Sequence, residues 1–206
     1  MRRLVAKWLT RSPEAVTLAT SLQPLQIAFA KGSPCEVSAL AFSEAARDLD
    51  ASSGLLQIDM ANAFNTISRR VVLEEVAASC PSLLPWVRAS FQPAPLFCGK
   101  STIWSCSGVQ QGDPLGPLLF ATGLQRALRH LPPGLVLHSW YLDDGALLGP
   151  LPALDAAVST LLHHLPLIGL NLNTSKTTLW GPSIAAPPSP PPPPPRCPRF
   201  RHAAAI

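Results

Sequence analysis

The sequence predicts an α+β fold, in which short apolar strands combine with amphipathic helices. Residues 54–58 are a short, largely apolar run that ends at an aspartate, as a buried strand can. Residues 135–149 contain two apolar runs separated by two acids and a glycine, which is the pattern of a β-hairpin. Residues 118–131 space their apolar side chains three and four positions apart, as an amphipathic helix does.

The first 50 residues are interrupted by prolines, which exclude one long helix there. We expect a short helix over 14–22, with Pro13 at its first position and Ser12 as its N-cap. A second helix is predicted over 35–49. Its predicted apolar face consists of Val37, Leu40, Ala41, Ala45 and Leu49.

The strand at 54–58 is followed by a predicted helix over 63–80, which Pro81 ends. Its apolar stripe is Phe64, Ile67, Val71, Val72 and Val76. Its charged side chains, expected away from that stripe, are Arg69, Arg70, Glu74 and Glu75. A short helix at 85–91 comes next, and a hairpin at 97–107 turns at residues 99–101.

The second half of the chain predicts two further helices. One begins after residues 108–112, with Asp113 as N-cap and Pro114 at its first position. The other covers 151–165 and ends before Gly169, after which a strand starts at 170–173.

Asp143 and Asp144 are adjacent carboxylates at the predicted hairpin turn, and Gly145 follows them. An exposed Asp-Gly turn would explain them by turn chemistry alone. A divalent-metal site would explain them equally, because neighbouring carboxylates repel each other unless a cation lies between them. Asp59, at the end of the first strand, is a third acid and favours the metal site. Carboxylate oxygens suit Mg²⁺ or Mn²⁺.

Four segments together resemble motifs A, B, C and D of a reverse transcriptase palm of the type found in non-LTR retrotransposons. They occur in the family's order, at 59–65 (DMANAFN), 108–120 (GVQQGDPLGPLLF), 141–145 (YLDDG) and 169–177 (GLNLNTSKT). The resemblance covers about residues 54–180 and implies a polymerase palm, an antiparallel sheet with helices packed on one face. It also implies a partial fingers-like segment at 1–50, a palm at 51–181 and no recognisable thumb.

The resemblance implies a two-metal nucleotidyl transfer. Asp59, Asp143 and Asp144 would hold two Mg²⁺ (or Mn²⁺) ions, and Lys176 would protonate the leaving pyrophosphate. From sequence alone, Lys176 could equally be an ordinary surface charge.

The resemblance also places the substrate. Phe64 would lie under the sugar of the incoming nucleotide, where its ring excludes a ribose 2′-hydroxyl. Gln111, Gly112 and Tyr141 would contact nucleotide or template, and a glycine there lets the strands approach the backbone. Many relatives carry Ser-Pro where this chain has Gly-Pro at 116–117, which we interpret as variation within the family.

Lys31 and Arg47 are candidates for the triphosphate only because they are basic. His163 and His164 have no third ligand close in sequence, so a metal role is disfavoured.

The amino-acid composition gives only a general indication of which classes of molecule the protein binds. The 206 residues carry a net charge of +4, with a pI near 9.0, and 14% are charged. That is compatible with nucleic acid, although Arg126 and Arg129 are the only Lys or Arg residues between Lys100 and Lys176. Five cysteines without paired spacing predict reduced thiols, most of them in the core. No apolar run reaches the roughly 18 residues of a membrane span.

The sequence thus predicts an RNA-directed DNA polymerase acting on an RNA template, a DNA primer and deoxynucleoside triphosphates, with no membrane partner. A non-catalytic retroelement remnant that binds nucleic acid weakly is the alternative, and an RNA-templated RNA polymerase is a third possibility. The Pro-rich residues 182–206 predict a disordered tail with polyproline II character. The basic first twelve residues suit a transit peptide or, as we favour, the start of a truncated domain. A nuclear address is weakly suggested by residues 196–201 (RCPRFR).

Overall fold

The structure is a computed structural model that describes residues 2–182, with Arg2 described by its backbone alone. The helices are α1 (Arg2–Leu9), α2 (Pro13–Ser21), α3 (Pro34–Arg47), α4 (Ala63–Thr66), α5 (Arg69–Ser79), α6 (Leu84–Ser90), α7 (Gly116–Leu128) and α8 (Leu151–Leu167). The strands are β1 (Ser53–Ile58), β2 (Ala94–Cys98), β3 (Ser101–Ser105), β4 (Leu137–Tyr141), β5 (Asp144–Pro150) and β6 (Thr178–Trp180). The predicted tail falls outside the described residues, apart from Pro182.

The central sheet is antiparallel and has the order β4-β5-β1-β6. In its register Ile58, the last residue of β1, lies opposite Gly145, the second residue of β5. The end of β1 therefore meets the turn between β4 and β5. Strands β2 and β3 form a separate hairpin.

Helices α5, α7 and α8 supply most of the layer on one face of the sheet, which confirms the predicted α+β class. Because side chains alternate along a strand, Leu56 and Ile58 point to this face, and both are buried. They pack in one core with Trp140, Leu147 and the apolar stripe of α7. Helix α3 lies near β4, where Ser38 and Ser139 share a hydrogen bond of 3.0 Å.

The predicted helix over 63–80 is two helices in the structure. The helical conformation is interrupted at Ile67 and Ser68. The Ser68 hydroxyl accepts a hydrogen bond from the Val71 amide at 3.5 Å and so caps α5. Two charged residues of α5 that were expected away from the apolar stripe, Arg69 and Glu75, are buried.

Glu75 is buried because its partners come from another helix. Its two carboxylate oxygens accept hydrogen bonds from Arg126 and Arg129, each at 2.7 Å. The predicted pair of Arg70 and Glu74 is exposed and longer, at 3.9 Å. The ion pairs of the buried Glu75, and not the exposed pair within α5, therefore connect α5 to the C-terminal end of α7.

Three further expectations were wrong in detail. The predicted apolar face of α3 is not its buried face, since Val37 and Leu40 are exposed and Phe42 is buried. Residues 170–173 form no strand, only one bridge between Leu172 and Met60, and the edge strand β6 begins later. Helix α7 starts at Gly116, whereas the Asp113 carboxylate accepts from the Leu115 amide in the turn before it, at 3.0 Å.

Two local predictions, the start of α2 and the turn of the second hairpin, are confirmed. Helix α2 has Pro13 in its first turn, and the Ser12 hydroxyl accepts from the Ala15 amide at 3.3 Å. The hairpin of β2 and β3 turns at Gly99 and Lys100. The four described cysteines are free, but the expectation that most lie in the core was wrong, since Cys80 is buried and Cys35, Cys98 and Cys106 are exposed. No helix within residues 2–182 is long and apolar enough to cross a bilayer.

Candidate active site

The turn between β4 and β5 consists of Leu142 and Asp143, because Tyr141 pairs directly with Asp144. The predicted Asp-Gly turn is therefore wrong in its position. Gly145 lies inside β5, where a Cβ would approach the Trp140 ring to 2.6 Å. Position 145 therefore requires a glycine because the Trp140 ring packs against it, and not because the chain turns there. Leu142 occupies the left-handed turn position, with φ +58°.

Asp59 follows the last residue of β1 and is held by the segment that contains Lys176. Its carbonyl accepts from the Asn173 amide at 2.9 Å, and its amide donates to the Thr177 hydroxyl at 3.4 Å. Lys176 Nζ lies 3.8 Å from Asp59 Oδ2. The Lys176 ammonium is thus brought beside the first catalytic candidate.

Seven of the eight residues proposed from sequence line two cavities that share Asp59 and Lys176. An open cavity of about 260 Å³ is lined by Asp59, Phe64, Gln111, Asp143 and Lys176, among others. A larger one, of about 560 Å³, contains Tyr141 and Asp144 and shares Asp59 and Lys176 with the first. Of the eight, only Gly112 lies outside both, in the neighbouring cavity beyond Gln111.

Phe64 lines both the 260 Å³ cavity and the cavity beyond Gln111. The Phe64 ring stacks on Phe120 of α7, with ring centroids 4.6 Å apart and planes at 10°. This stacking fixes the half-buried ring between the acids and the loop at 110–114. In that loop Gly112 has φ +81°, a conformation that favours glycine. A Cβ added to Gly112 would lie 3.8 Å from the guanidinium of Arg3 in α1.

The acids interact electrostatically. Burial raises the pKa of the Asp143 carboxyl above its ordinary value, and the charges of Asp144 and Asp59 raise it further, while a backbone hydrogen bond opposes the shift. Within residues 2–182, no three His, Cys, Asp or Glu side chains are arranged as a ready metal cluster. The donor chemistry nevertheless fits a divalent cation, since three carboxylates with mutual repulsion are what a hard cation neutralises.

The raised pKa of Asp143 predicts a stability effect. A carboxyl whose pKa is higher in the folded state destabilises that state when ionised, so the penalty is present at neutral pH and disappears as pH falls below the unfolded value near 3.9. In a chelator, Asp143→Asn should therefore raise the Tm at pH 7.5 by at most about 2–4 °C, since partial exposure screens the repulsion. Differential scanning fluorimetry from pH 7.5 to 4 measures this.

Asp155→Asn is the matched control, because Asp155 is an exposed residue of α8. Its Tm should follow that of the unsubstituted protein at every pH. A Tm for Asp143→Asn that is unchanged or lower at pH 7.5 would contradict the predicted cost of ionising Asp143 in the folded protein.

The structure adds residues that the sequence did not single out. Gln26 is fully buried against the β4–β5 turn. Arg69 donates to the carbonyls of Gly108, Phe91 and Ser105 at 2.7–3.2 Å and so shapes the start of the loop at 108–115. Only Gln26 carried a local signal, being a polar residue within the mostly apolar run LQIAF.

The weaker candidates lie elsewhere. Arg47 pairs with Glu44 on the exposed surface of α3, at 2.7 Å. Lys31 lines a separate cavity with residues of α2 and the loop before α7. The rings of His164 and His130 stack at 3.9 Å, and His163 meets His164 edge-on. Neither histidine of this pair at 163–164 lines the cavities that contain the acids.

The chain is similar in sequence to known proteins. The family model described as reverse transcriptase (RNA-dependent DNA polymerase) matches residues 1–186. The Retrotransposable element SLACS 132 kDa protein of Trypanosoma brucei gambiense is 30% identical over 149 residues, which is 66% of this chain and 12% of that protein. The chain therefore spans a small part of this curated relative.

Solved structures of telomerase share the fold. An apo telomerase from Candida tropicalis, truncated from the C-terminal domain, superposes with a TM-score of 0.63 at 14% identity, over 86% of this chain and 42% of that one. A telomerase from Candida albicans in complex with a TWJ fragment of telomeric RNA gives 0.54 at 12% identity, over 88% and 34%. Together with the family match, the fold and the motif order place this chain in the reverse transcriptase family.

Proposed function

We propose that this chain is the palm of an RNA-directed DNA polymerase that extends a DNA primer on an RNA template. One observation carries the proposal. Asp59, Asp143 and Lys176, which are far apart in sequence, line the same open cavity with Phe64 and Gln111. The register of β1 and β5 sets the end of β1 beside the β4–β5 turn and so brings Asp59 near Asp143. The contacts of Asn173 and Thr177 to the Asp59 backbone bring Lys176 near them.

Asp59, Asp143 and Asp144 would hold two Mg²⁺ (or Mn²⁺) ions through their carboxylate oxygens. When bound, such ions lower the cost of the attack of the primer 3′-oxygen on the α-phosphate and neutralise the charge that develops. The three residues contribute by placing their oxygens at one end of the sheet. Binding of a cation would also offset the burial and the neighbouring charges that raise the pKa of Asp143.

Lys176 is proposed as the proton donor to the pyrophosphate. Its ammonium is exposed and lies 3.8 Å from Asp59 Oδ2, so it can exchange this partner for a phosphate oxygen of a bound nucleotide. The Asn173 and Thr177 contacts to the Asp59 backbone keep the lysine in range of the cavity.

Phe64 is proposed to select deoxynucleotides. A ring fixed by stacking on Phe120 cannot retreat from a ribose 2′-hydroxyl without losing that contact, which gives the exclusion a structural cause. Gln111 and Gly112, in the loop beside the ring, and Tyr141, on the other side of the acids, would contact the nucleotide or the template.

Helix α1 offers a path for the nucleic acid away from the acids. The cavity beyond Gln111 is lined by Arg3. Lys7 lies one turn further along α1, and Arg11 follows its end. All three side chains are exposed, as is Trp8, and no acid lies between residues 2 and 12. Basic side chains with an aromatic neighbour suit the phosphates and bases of a single strand.

This path predicts a change in salt dependence. Each phosphate contact to a single strand contributes about −0.7 to the slope of log K against log salt. Replacing Arg3, Lys7 and Arg11 with alanine should therefore make the slope for single-stranded RNA less steep by about 2. Fluorescence anisotropy at several salt concentrations measures the slope.

A control with equal loss of charge replaces Arg47, Arg70 and Lys100, which lie on other surfaces of the chain. Its slope should change by less than half as much. Equal changes in both triple variants would show that net charge, and not α1, governs RNA binding.

Primer extension tests the proposed function. The purified chain is given an RNA template, a DNA primer, deoxynucleotides and Mg²⁺ or Mn²⁺, beside an Asp143→Ala/Asp144→Ala variant. Extension by the unsubstituted protein and none by the variant is the expected result. A parallel reaction with ribonucleotides separates this function from RNA synthesis.

Folded protein that fails to extend a primer under every condition would contradict an independently active polymerase. Circular dichroism and thermal melting establish that both proteins are folded. That outcome, combined with weak RNA binding, would favour the non-catalytic alternative.

A further inference from the structure

Gln26 occupies a position between α2 and α3, against the outer edge of β4. Its side chain is fully buried, with 0% of its surface exposed. The backbone there is already attached to the sheet, because the Trp140 amide donates to the Leu25 carbonyl at 2.8 Å and Gln26 bridges to Trp140. The Gln26 amide nitrogen of the main chain donates to Leu22 at 2.9 Å. The contacts to α2 and to β4 therefore fix the backbone from which the Gln26 side chain extends.

The carboxamide of Gln26 makes two hydrogen bonds to one residue of the catalytic turn. Its Nε2 donates to the Leu142 carbonyl at 3.2 Å, and its Oε1 accepts from the Leu142 amide at 3.1 Å. Both polar groups of the side chain and both polar backbone groups of Leu142 are used. The primary amide of glutamine has one donor and one acceptor group, which pair with the carbonyl and the amide of Leu142. An apolar or shorter side chain at position 26 cannot make both hydrogen bonds.

Leu142 has φ +58°, which a residue with a side chain adopts at a cost. Such conformations persist where surrounding contacts determine them. The Leu142 side chain packs against the core, and the Gln26 carboxamide holds its backbone. The next residue is Asp143, so the plane of the Leu142–Asp143 peptide sets the direction in which the Asp143 carboxylate leaves the turn.

We propose that Gln26 is a positioning residue that fixes the Leu142 backbone so that the Asp143 carboxylate is oriented for cation binding. The inference rests on the proposed function, because it assigns the supporting contact of the same metal site. Gln26 touches neither substrate nor cation. It acts from a segment 116 residues away in sequence from the turn that it holds.

Terbium(III) tests this without requiring catalysis. Terbium(III) binds carboxylate oxygens, and its emission is sensitised by a nearby aromatic ring such as that of Tyr141, the single tyrosine of the chain. Gln26→Met keeps the length and bulk of the side chain and removes both hydrogen bonds. Loss of a contact that supports a metal ligand typically weakens affinity 10–100-fold, so we expect the terbium Kd of the full chain to rise by about tenfold or more.

Two controls separate orientation from stability. Gln23→Met, three residues before Gln26, removes an exposed amide that donates to the Phe29 carbonyl at 2.9 Å, and should leave the terbium Kd unchanged. Leu18→Ala removes a buried side chain of α2 and should lower the Tm without raising the Kd, since an unfolded fraction reduces the amplitude of the signal only. In primer extension, Gln26→Met should lower kcat and leave the KM for deoxynucleotides within about twofold.

The outcomes are distinguishable. A Kd for Gln26→Met equal to that of the unsubstituted protein, or a rise matched by Leu18→Ala, would overturn the positioning role and leave the proposed function intact. Terbium emission from the unsubstituted protein that does not depend on Asp59 and Asp143 would refute the metal site itself, and the positioning role with it.

Discussion

Replacing Asp59 with asparagine is expected to reduce primer extension by about 10³-fold or more while leaving the protein folded. Asparagine has nearly the same shape as aspartate but lacks its charge, so it is a poor ligand for a hard cation. Loss of about 4 kcal/mol of transition-state stabilisation corresponds to this factor, and metal ions supply several kilocalories in such reactions.

The local geometry explains why the effect should be confined to the chemistry. The contacts that hold residue 59 use its backbone, through the amide of Asn173 and the hydroxyl of Thr177. The side chain makes one long contact, to the exposed Lys176 at 3.8 Å, and such exposed pairs contribute about 1 kcal/mol at most. The fold should therefore survive the change.

Single-turnover extension with Mg²⁺ measures the loss, and thermal melting checks the fold. Asp155→Asn, which removes one exposed carboxylate from α8, should extend primers at the unsubstituted rate. Less than a tenfold loss for Asp59→Asn would show that Asp59 is not a metal ligand in the reaction.

Those parts of the fold that depend on neighbouring residues could be predicted from sequence. The cap of α2 is one example, since Ser12 and Pro13 form it without help from elsewhere. The hairpin that carries Asp143 and Asp144 was predicted for the same reason, although its turn was placed one residue or more too late. Gly145 was the cause of that error. A glycine is needed at this position because a Cβ would collide with the Trp140 ring, and not because the chain turns there.

Contacts between distant segments could not be predicted, because no periodicity encodes them. Arg69 has the spacing of a solvent-facing residue on a helix, yet the carbonyls that bury it come from residues 22 to 39 positions later. The two hydrogen bonds of Gln26 join segments 116 residues apart. The motif aspartates could be identified as a site, whereas the residues that orient them could not.

The largest expected effect on stability is at Gly108, where the loop of the second motif meets α4. Gly108 has φ +70°, and a Cβ would lie 2.5 Å from the carbonyl carbon and oxygen of Asn65 and from the oxygen of Phe64. These are backbone atoms and cannot rotate away. The same segment is fixed by the Gly108 amide on Ile67 at 2.9 Å and by Arg69 on the Gly108 carbonyl at 2.9 Å.

Gly108→Ala should therefore destabilise the protein by more than about 4 kcal/mol, a size that single substitutions reach only when a specific feature is broken, and lower the Tm by more than about 10 °C. Gly32→Ala is the matched control, because Gly32 has φ +83° but no atom within 4 Å of its Cβ position. It should show the conformational cost alone, about 1–2 kcal/mol. Urea unfolding measures both, and equal losses would mean that the loop can move away from α4. Since Phe64 belongs to α4, that freedom would also remove the fixed ring on which the proposed selection of deoxynucleotides depends.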